Sequence, residues 1–550
     1  MSGSLDTLKI TAKTSLEDIA KAFENSSKDL LLVDERTIIS EPHLELLTDY
    51  PRSVSAALVG IQKNGNTLVR QNRIASASSD SHKVTIGNRD FVGVMRLSQK
   101  QRDSILNALH NAIAYRADGN ALDLALVALV RATVRVDGVD VLSAPWSRSD
   151  VASQRDQVAK ELSDTNMARL RLKMANRAND GFFSVFFLRK FSKILTWAAV
   201  KIGATPNQVT LLSFAIGLYS AYLFAQGTFL TILSAAFLLQ LSIIVDCVDG
   251  ELARYTRKFS KLGAWLDAVT DRVKEYLVFL GLAYGAAKEG RDLWIPAMLM
   301  MAIQTFRHLS DYNFAQSVKI RAEEKFESPV DFMADFDGII PSEREPKGRL
   351  RYWLGKIIQF PIGERWLVIS ASAVIGGAAF TFTIMPILAF ISAAVVFRGR
   401  FIRTREMEIA ELRSPLIVNQ SDLLGIKRTF TKRWSWIEPS ILRAIESVVL
   451  IAIFAYQDAL SIPAFLILFS ILFHHYDNLY RALQNESKPI WLSGLGLFVG
   501  GRVLLVGLAI IGGVQLSYLA WYFGVLFLGV SSLQWVLSHR QSDMKNRVSA

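Results

Sequence analysis

Apolar and polar positions divide this chain into two regimes. Up to about residue 160, short apolar runs alternate with amphipathic stretches; beyond about residue 200, long apolar runs dominate. In the first regime Leu30-Leu31-Leu32-Val33 and Val54 to Val59 read as buried strands, and Ser104 to Tyr115 and Ala121 to Val134 as amphipathic helices. Residues 1–160 are therefore expected to form a soluble α/β domain. Residues 161–200 read as a linker: a surface helix rich in Arg, Lys, Asp and Ala over 150–180, then Phe182 to Trp197. That last stretch sets aromatics on one side and Arg189, Lys190 and Lys193 on the other, the pattern of a helix lying among lipid headgroups.

Thr205-Pro206 then supplies a helix cap with proline in the first turn. Ten apolar runs follow, at about 206–225, 228–248, 263–287, 293–312, 366–384, 386–398, 440–457, 462–476, 490–513 and 516–537. Most approach the length needed to cross roughly 30 Å of hydrocarbon; the sixth is short and must continue toward Arg403. Turns on one side fall near 226, 290, 385, 459 and 514, with only Lys288 and Arg291 basic. Those on the other side hold Arg254, Arg257, Lys258 and Lys261, then 319–365, 398–433 and 540–547. This asymmetry predicts that both termini and the loop at 254–261 face the cytoplasm of an inner cell membrane. Residues 320–350, with Glu323, Glu324, Asp331, Asp335 and Asp337, are expected to form a flexible acidic loop, and 404–433 a polar hairpin or surface helix.

Composition agrees. The chain has 550 residues, 51% of them hydrophobic, a mean hydropathy of +0.26 and a net charge of +12, too apolar for a purely soluble protein. Its positive excess suits an anionic leaflet and phosphate-bearing substrates, and no nucleic-acid partner is expected. Cys247 is the single cysteine, so an intrachain disulfide and a thiolate metal site are excluded. Residues 1–30 are polar and mixed in charge, unlike a signal peptide.

The chemistry concentrates at 246–271. Asp246, Asp249, Gly250 and Ala253 are spaced to share one helix face, and Gly263, Asp267 and Asp271 another. Two such faces together make an acidic pocket, whose like charges repel and resist desolvation unless a cation joins them. Hard oxygen donors favour Mg²⁺, Mn²⁺ or Ca²⁺ over zinc, and two such ions a few ångströms apart serve displacement at phosphorus. Gly250, Ala253 and Gly263 would let a nucleotide lie against the helix backbones.

Further ionisable residues lie within apolar runs, where they are costly. Arg307 and His308 read either as part of an acceptor site or, for Arg307, as half of a structural pair with Asp311; Arg365 and Arg398 either meet an anionic acceptor or reach to headgroups. His474, His475, Asp477, Arg481, Arg502, Arg443 and Glu446 read as interhelical hydrogen-bonding groups rather than a metal site, since adjacent helix residues diverge by about 100°.

The pattern D-x-x-D-G-x-x-A-R, eight further residues, then G-x-x-x-D-x-x-x-D resembles the signature of the CDP-alcohol phosphotransferase family, with every position filled. The resemblance implies a six-helix membrane domain over 201–405, followed by a cytoplasmic linker at 406–433 and a helical membrane domain of about four further helices at 434–550. It implies that Asp246, Asp249, Asp267 and Asp271 hold two Mg²⁺ or Mn²⁺ ions. It further implies that Asn207, Thr210, Asp249, Gly250, Ala253, Arg254 and Gly263 bind CDP, and that Asp271 is the general base. The implied reaction moves a substituted phosphate from a CDP-alcohol to an acceptor alcohol with release of CMP, in phospholipid biosynthesis. CDP-diacylglycerol is the expected donor, with a soluble CDP-alcohol as the alternative and a lipid or polyol phosphate as acceptor; a homodimer fits the family.

Residues 1–160 resemble the back half of a sugar-phosphate nucleotidylyltransferase, with Asp34 and Glu35 at an acidic strand end expected to be solvated. Leu8 to Lys21 lacks the glycines of that family's phosphate loop, so the domain is expected to be inactive. The C-terminal part resembles an uncharacterised membrane domain found on such enzymes in actinobacteria. A cation-coupled transporter is the competing class. It is disfavoured because the acids sit in one adjacent pair of runs with no counterpart in the second half.

Overall fold

The computed structural model describes residues 5–48, 54–61, 65–70, 72–80, 82–84, 86–115, 119–141, 144–175, 181–326, 349–406, 436–484 and 489–548. They form two compact units, one within Met1–Met174 and one within Ala175–Glu324 and Arg344–Ala550.

The first unit is built on a seven-stranded mixed sheet. Its strands are β1 (Asp6–Ile10), β2 (Leu30–Asp34), β4 (Ser55–Ile61), β5 (Thr67–Arg70), β6 (Arg73–Ala77), β7 (Arg89–Leu97) and β8 (Val136–Asp140), in the order β1-β2-β7-β4-β8-β6-β5. The pairs β1–β2 and β4–β8 run parallel, the others antiparallel. β3 (Thr37–Ile38) and β9 (Ser147–Arg148) form a separate small ladder. The continuous apolar run of β4 follows from burial on both faces. One face packs Ala57 and Val59 under α1 (Leu16–Asn25), α3 (Arg102–Ala114) and α4 (Ala121–Arg131); the other packs Ala56 and Leu58 with Leu47 of α2 (Glu41–Thr48). Ser15 and Asp18 close a capping box at the start of α1.

Two expectations change here. The surface helix of 150–180 is broken into α5 (Ala152–Ser163) and α6 (Met167–Met174). Asp34 is not solvated: it is 2% exposed, and its oxygens accept from Arg36 Nη2 at 2.7 Å and Arg148 Nε at 2.9 Å. Burial pushes the Asp34 carboxyl up, but the two guanidiniums outweigh it and hold the group below its ordinary range. Glu35 is exposed, as expected.

In the second unit a π-turn at Ser184–Leu188 leads into α7 (Arg189–Lys201). Phe187, Phe191, Ile194 and Trp197 are exposed, as a lipid-facing side requires. Arg189, expected among the headgroup-facing cations, instead turns inward and is buried. Next come α8 (Pro206–Phe224), α9 (Phe229–Thr256), α10 (Lys261–Lys288), α11 (Trp294–Phe326) and α12 (Arg349–Ile358). They are followed by α13 (Ile362–Glu406), α14 (Glu438–Tyr456), α15 (Ile462–Leu483), α16 (Ile490–Leu495), α17 (Phe498–Ile511) and α18 (Leu516–Phe523). A second π-turn at Gly524–Val530 then leads to α19 (Ser531–Val548). One apolar cluster joins α8 through α11 and α13 through α19, including Leu239, Tyr276, Phe279, Met298, Trp366, Phe465 and Leu472.

Among the described residues, six helices are long and apolar enough to cross a membrane, so the protein is an integral membrane protein. The ten expected runs are helical, but α8, α10 and α11 fall outside that set of six. In α10 the reason is visible: Arg272, Lys274 and Glu275 are buried within it beside Asp267 and Asp271. α11 runs on to Phe326, so Glu323 and Glu324 belong to its last turns rather than to a loop; Asp331, Asp335, Asp337 and residues 407–433 lie outside the described residues.

The break expected near 385 lies instead at Gly376–Gly377 within α13. Ser372 Oγ donates to Thr381 Oγ1 at 3.0 Å across it, whereas a straight helix would hold these residues about 13 Å apart along its axis. Gly377 has φ +68° and ψ −165°, a conformation open essentially to glycine alone, while Pro386 is carried inside the second arm. The run at 490–513 is likewise interrupted, by left-handed Leu497 and Phe498. Gly377→Ala is expected to destabilise the protein by about 1–3 kcal/mol, read as a lower midpoint of thermal unfolding in detergent. Pro386→Ala should leave that midpoint unchanged or higher, because the turn does not use the proline.

Candidate active site

Left-handed Arg257 ends α9, and Ser260 caps α10 by accepting from Gly263 N at 2.9 Å. That short connection turns the chain back so that α9 and α10 both pack on α8, with their carboxylates facing one another. Asp246, Asp267 and Asp271 each bring an oxygen to within 4.8 Å of the others. Asp249 lies beside them, buried, with Oδ2 accepting from Thr210 Oγ1 of α8 at 2.5 Å.

Between them stands a residue the sequence reading missed. Lys274 Nζ is 2.6 Å from Asp246 Oδ1 and 3.0 Å from Asp271 Oδ1, and donates to Ser213 Oγ at 2.8 Å. Ser213 in turn lies 3.0 Å from Asp246 Oδ1. Lys274 is three residues beyond Asp271, so the rule that singled out other buried ions applied equally to it. Asp271 Oδ1 is buried and close enough to the ammonium for charge pairing, yet no directed hydrogen bond reaches it. The donor set of three convergent carboxylates is nonetheless the chemistry that fits a hard divalent cation.

A cavity of about 540 Å³ opens beside the carboxylates. Asn207, Thr210, Asp249, Gly250, Ala253, Arg254 and Gly263, the residues expected to hold CDP, all line it, with Asp267. Lys258, Phe259, Lys261 and Gln484 join them, the last from the end of the C-terminal helix α15. The glycines keep the wall open: a Cβ on Gly263 would meet Asn207 Oδ1 at 2.9 Å, and one on Gly250 would meet Arg254 Nη1 at 3.2 Å. Arg254 is anchored by donating from Nε to the Ala175 carbonyl.

Glu251, a second missed residue, turns from α9 toward α7. It accepts from Arg189 Nη1 at 2.7 Å, Ser192 Oγ at 2.8 Å and Thr196 Oγ1 at 2.7 Å. This explains the inward Arg189.

The expected acceptor residues are not one constellation. Arg365 Nε donates to Glu275 at 2.9 Å, and Glu275 also takes Arg272 at 2.8 Å. Arg272 contacts His308 Nδ1 at 3.2 Å, which lies 2.6 Å from Tyr476 Oη. Asp311 pairs with Arg400 rather than Arg307. Arg307 is buried with Nη1 lacking a hydrogen-bond partner, and Arg398 is exposed.

The C-terminal polar groups are interhelical. Glu446 binds His475 Nε2 at 2.8 Å and Arg502 Nε at 2.7 Å. Asp477 takes Arg481 Nε at 2.9 Å, Ser531 Oγ at 2.6 Å and Trp265 Nε1 at 3.1 Å. His474 instead stacks on Phe527, so the adjacent histidines share no ligand.

Residues 203–336 match the family model described as CDP-alcohol phosphatidyltransferase, and residues 367–546 match a family of unknown function (DUF5941). The chain is similar to the bifunctional IPC transferase and DIPP synthase of Thermococcus kodakarensis, 33% identical over 170 residues, 31% of this chain and 35% of that protein. It is similar to the archaetidylinositol phosphate synthase of Pyrococcus horikoshii, 39% identical over 85 residues, 15% of this chain and 43% of that protein. It is also similar to the phosphatidylinositol phosphate synthase of Mycobacterium tuberculosis, 29% identical over 137 residues, 24% of this chain and 59% of that protein. The chain thus spans less than two thirds of the curated relatives it matches.

Glu251→Ala would strand the buried Arg189 guanidinium. It is expected to cost about 3–5 kcal/mol, seen as a lower thermal midpoint in detergent and as new tryptic cleavage around Arg189.

Proposed function

With residues 203–336 a CDP-alcohol phosphatidyltransferase domain, we propose that the protein is a membrane transferase that moves a phosphatidyl group from CDP-diacylglycerol to a polyol phosphate and releases CMP. The carrying observation is the triangle of Asp246, Asp267 and Asp271 beside a cavity lined by all seven expected nucleotide residues. A lipid donor suits a cavity in the membrane unit. In the N-terminal domain, Asp34 has both oxygens engaged by arginines, which supports an inactive nucleotidylyltransferase-like role there. The names of the Pyrococcus and Mycobacterium relatives support an inositol phosphate as acceptor.

Asp246, Asp267 and Asp271 would hold Mg²⁺ or Mn²⁺, which when bound neutralises diphosphate charge and acidifies a nearby hydroxyl. Asn207, Gly250 and Gly263 bind the nucleotide against the α8, α9 and α10 backbones, and Arg254, Lys258 and Lys261 supply positive charge to the diphosphate. Asp271 takes the proton from the acceptor hydroxyl. The acceptor oxygen then bonds to the β-phosphorus, and the bond to the bridging oxygen breaks, so that CMP carries away the electron pair. Arg307, with its unpartnered Nη1, is assigned to the acceptor's anionic group, whereas His308 and Arg365 are engaged in the Arg272–Glu275 network. The positive loop at 254–261 supports a cytoplasmic opening.

Membranes containing the protein should release CMP from CDP-diacylglycerol when given an inositol phosphate and Mg²⁺, and EDTA should abolish the release. Asp271→Asn should lower the rate by about 10²–10⁴. Asp267→Asn or Asp271→Asn retaining the full rate would overturn the reading.

A further inference from the structure

The resemblance to the transferase family implies two divalent ions, yet the carboxylates already hold a cation of the chain's own. Lys274 Nζ sits between Asp246 Oδ1 and Asp271 Oδ1 at 2.6 and 3.0 Å, within the carboxylate group that would hold the metal. Its side chain is 0% exposed.

The surroundings are built to keep it there. Gly217 of α8 has no side chain, and a Cβ at that position would come within 2.7 Å of Lys274 Cδ and 2.8 Å of Cγ. The lysine stem therefore runs through a notch that alanine would fill. Ser213, one turn earlier on α8, accepts from Nζ at 2.8 Å, and the Trp366 ring lies 5.3 Å from Nζ. Two helices and an aromatic face thus fix the ammonium. Asp246 Oδ1 already takes both Lys274 and Ser213.

We infer that Lys274 is a resident substitute for one of the two metal ions, so that the site loads a single divalent cation at Asp267 and the free oxygens of Asp246 and Asp271. A second dication beside a fixed ammonium would meet like charge at contact distance and find its bridging oxygens taken. Lys274 is here a positioning residue, since it orders the carboxylates rather than touching the reacting phosphorus. The inference rests on the metal site of the proposed transferase.

Mn²⁺ is the probe, counted on the purified full chain in detergent by equilibrium dialysis and by electron paramagnetic resonance, with Asp267→Asn as the background. The wild type should bind one ion per chain, with the spectrum of an isolated Mn²⁺. Lys274→Met should bind two, with the broadening expected of ions about 3.5–4 Å apart. Gly217→Ala, which displaces the stem while retaining the lysine, should move the count in the same direction. Two coupled ions in the wild type would overturn the inference while leaving the transferase reading intact, and so would a count of one in a folded Lys274→Met. No Mn²⁺ above background would overturn both. Should neither variant fold, the wild-type count alone decides.

Discussion

The membrane unit depends on four aspartates gathered between two helices in an apolar surround. Carboxylates there repel one another and lose hydration, so each needs a partner fixed in place. Thr210 serves Asp249, Ser213 and Lys274 serve Asp246, and Lys274 reaches Asp271. Every one of these partners comes from α8 or α10. The hydrogen-bonded packing of α8 against both α9 and α10 is therefore what keeps the acidic face assembled.

The same helix α10 is gripped from its other side. Trp265, between Gly263 and Asp267, donates its indole N–H to Asp477 of α15, and Tyr276 meets Phe469 and Tyr476 edge-on or tilted. Gln484, also beyond the matched transferase segment, lines the cavity beside the aspartates and donates to the Lys261 carbonyl. The region matching the family of unknown function thus borders the site as a structural wall. Some of its ionic groups hold its own helices together, as Glu446 does between His475 and Arg502, while Asp477 and Arg400 reach across to α10 and α11.

Much of this was legible in the sequence because the relevant information is periodic. Spacing alone put Asp246 with Asp249 and Asp267 with Asp271, and the apolar runs marked the helices from 206 onward. What spacing does not carry is the direction of a side chain relative to another helix. Arg189 looked like a headgroup cation because its neighbours Lys190 and Lys193 fit that side; Glu251, distant in sequence, turns it inward. Asp34 looked solvated because it ends a strand, but that strand lies inside the sheet and two arginines converge on it. The turn in α13 is expected near 385 because the apolar run divides evenly there by length, whereas only glycine reaches the backbone angles of the actual turn at Gly376–Gly377. Lys274 was legible as an ion inside an apolar run, but its place among the aspartates was not, because the serine and glycine that fix it come from α8 and lie far from the signature.

The Gly217 notch makes two helices one fitted part. A Cβ at 217 would press on the lysine stem at 2.7 and 2.8 Å, so an alanine there has to push the stem aside, while loss of the lysine would leave the notch unfilled beside the aspartates. Neither position can change without the other registering it.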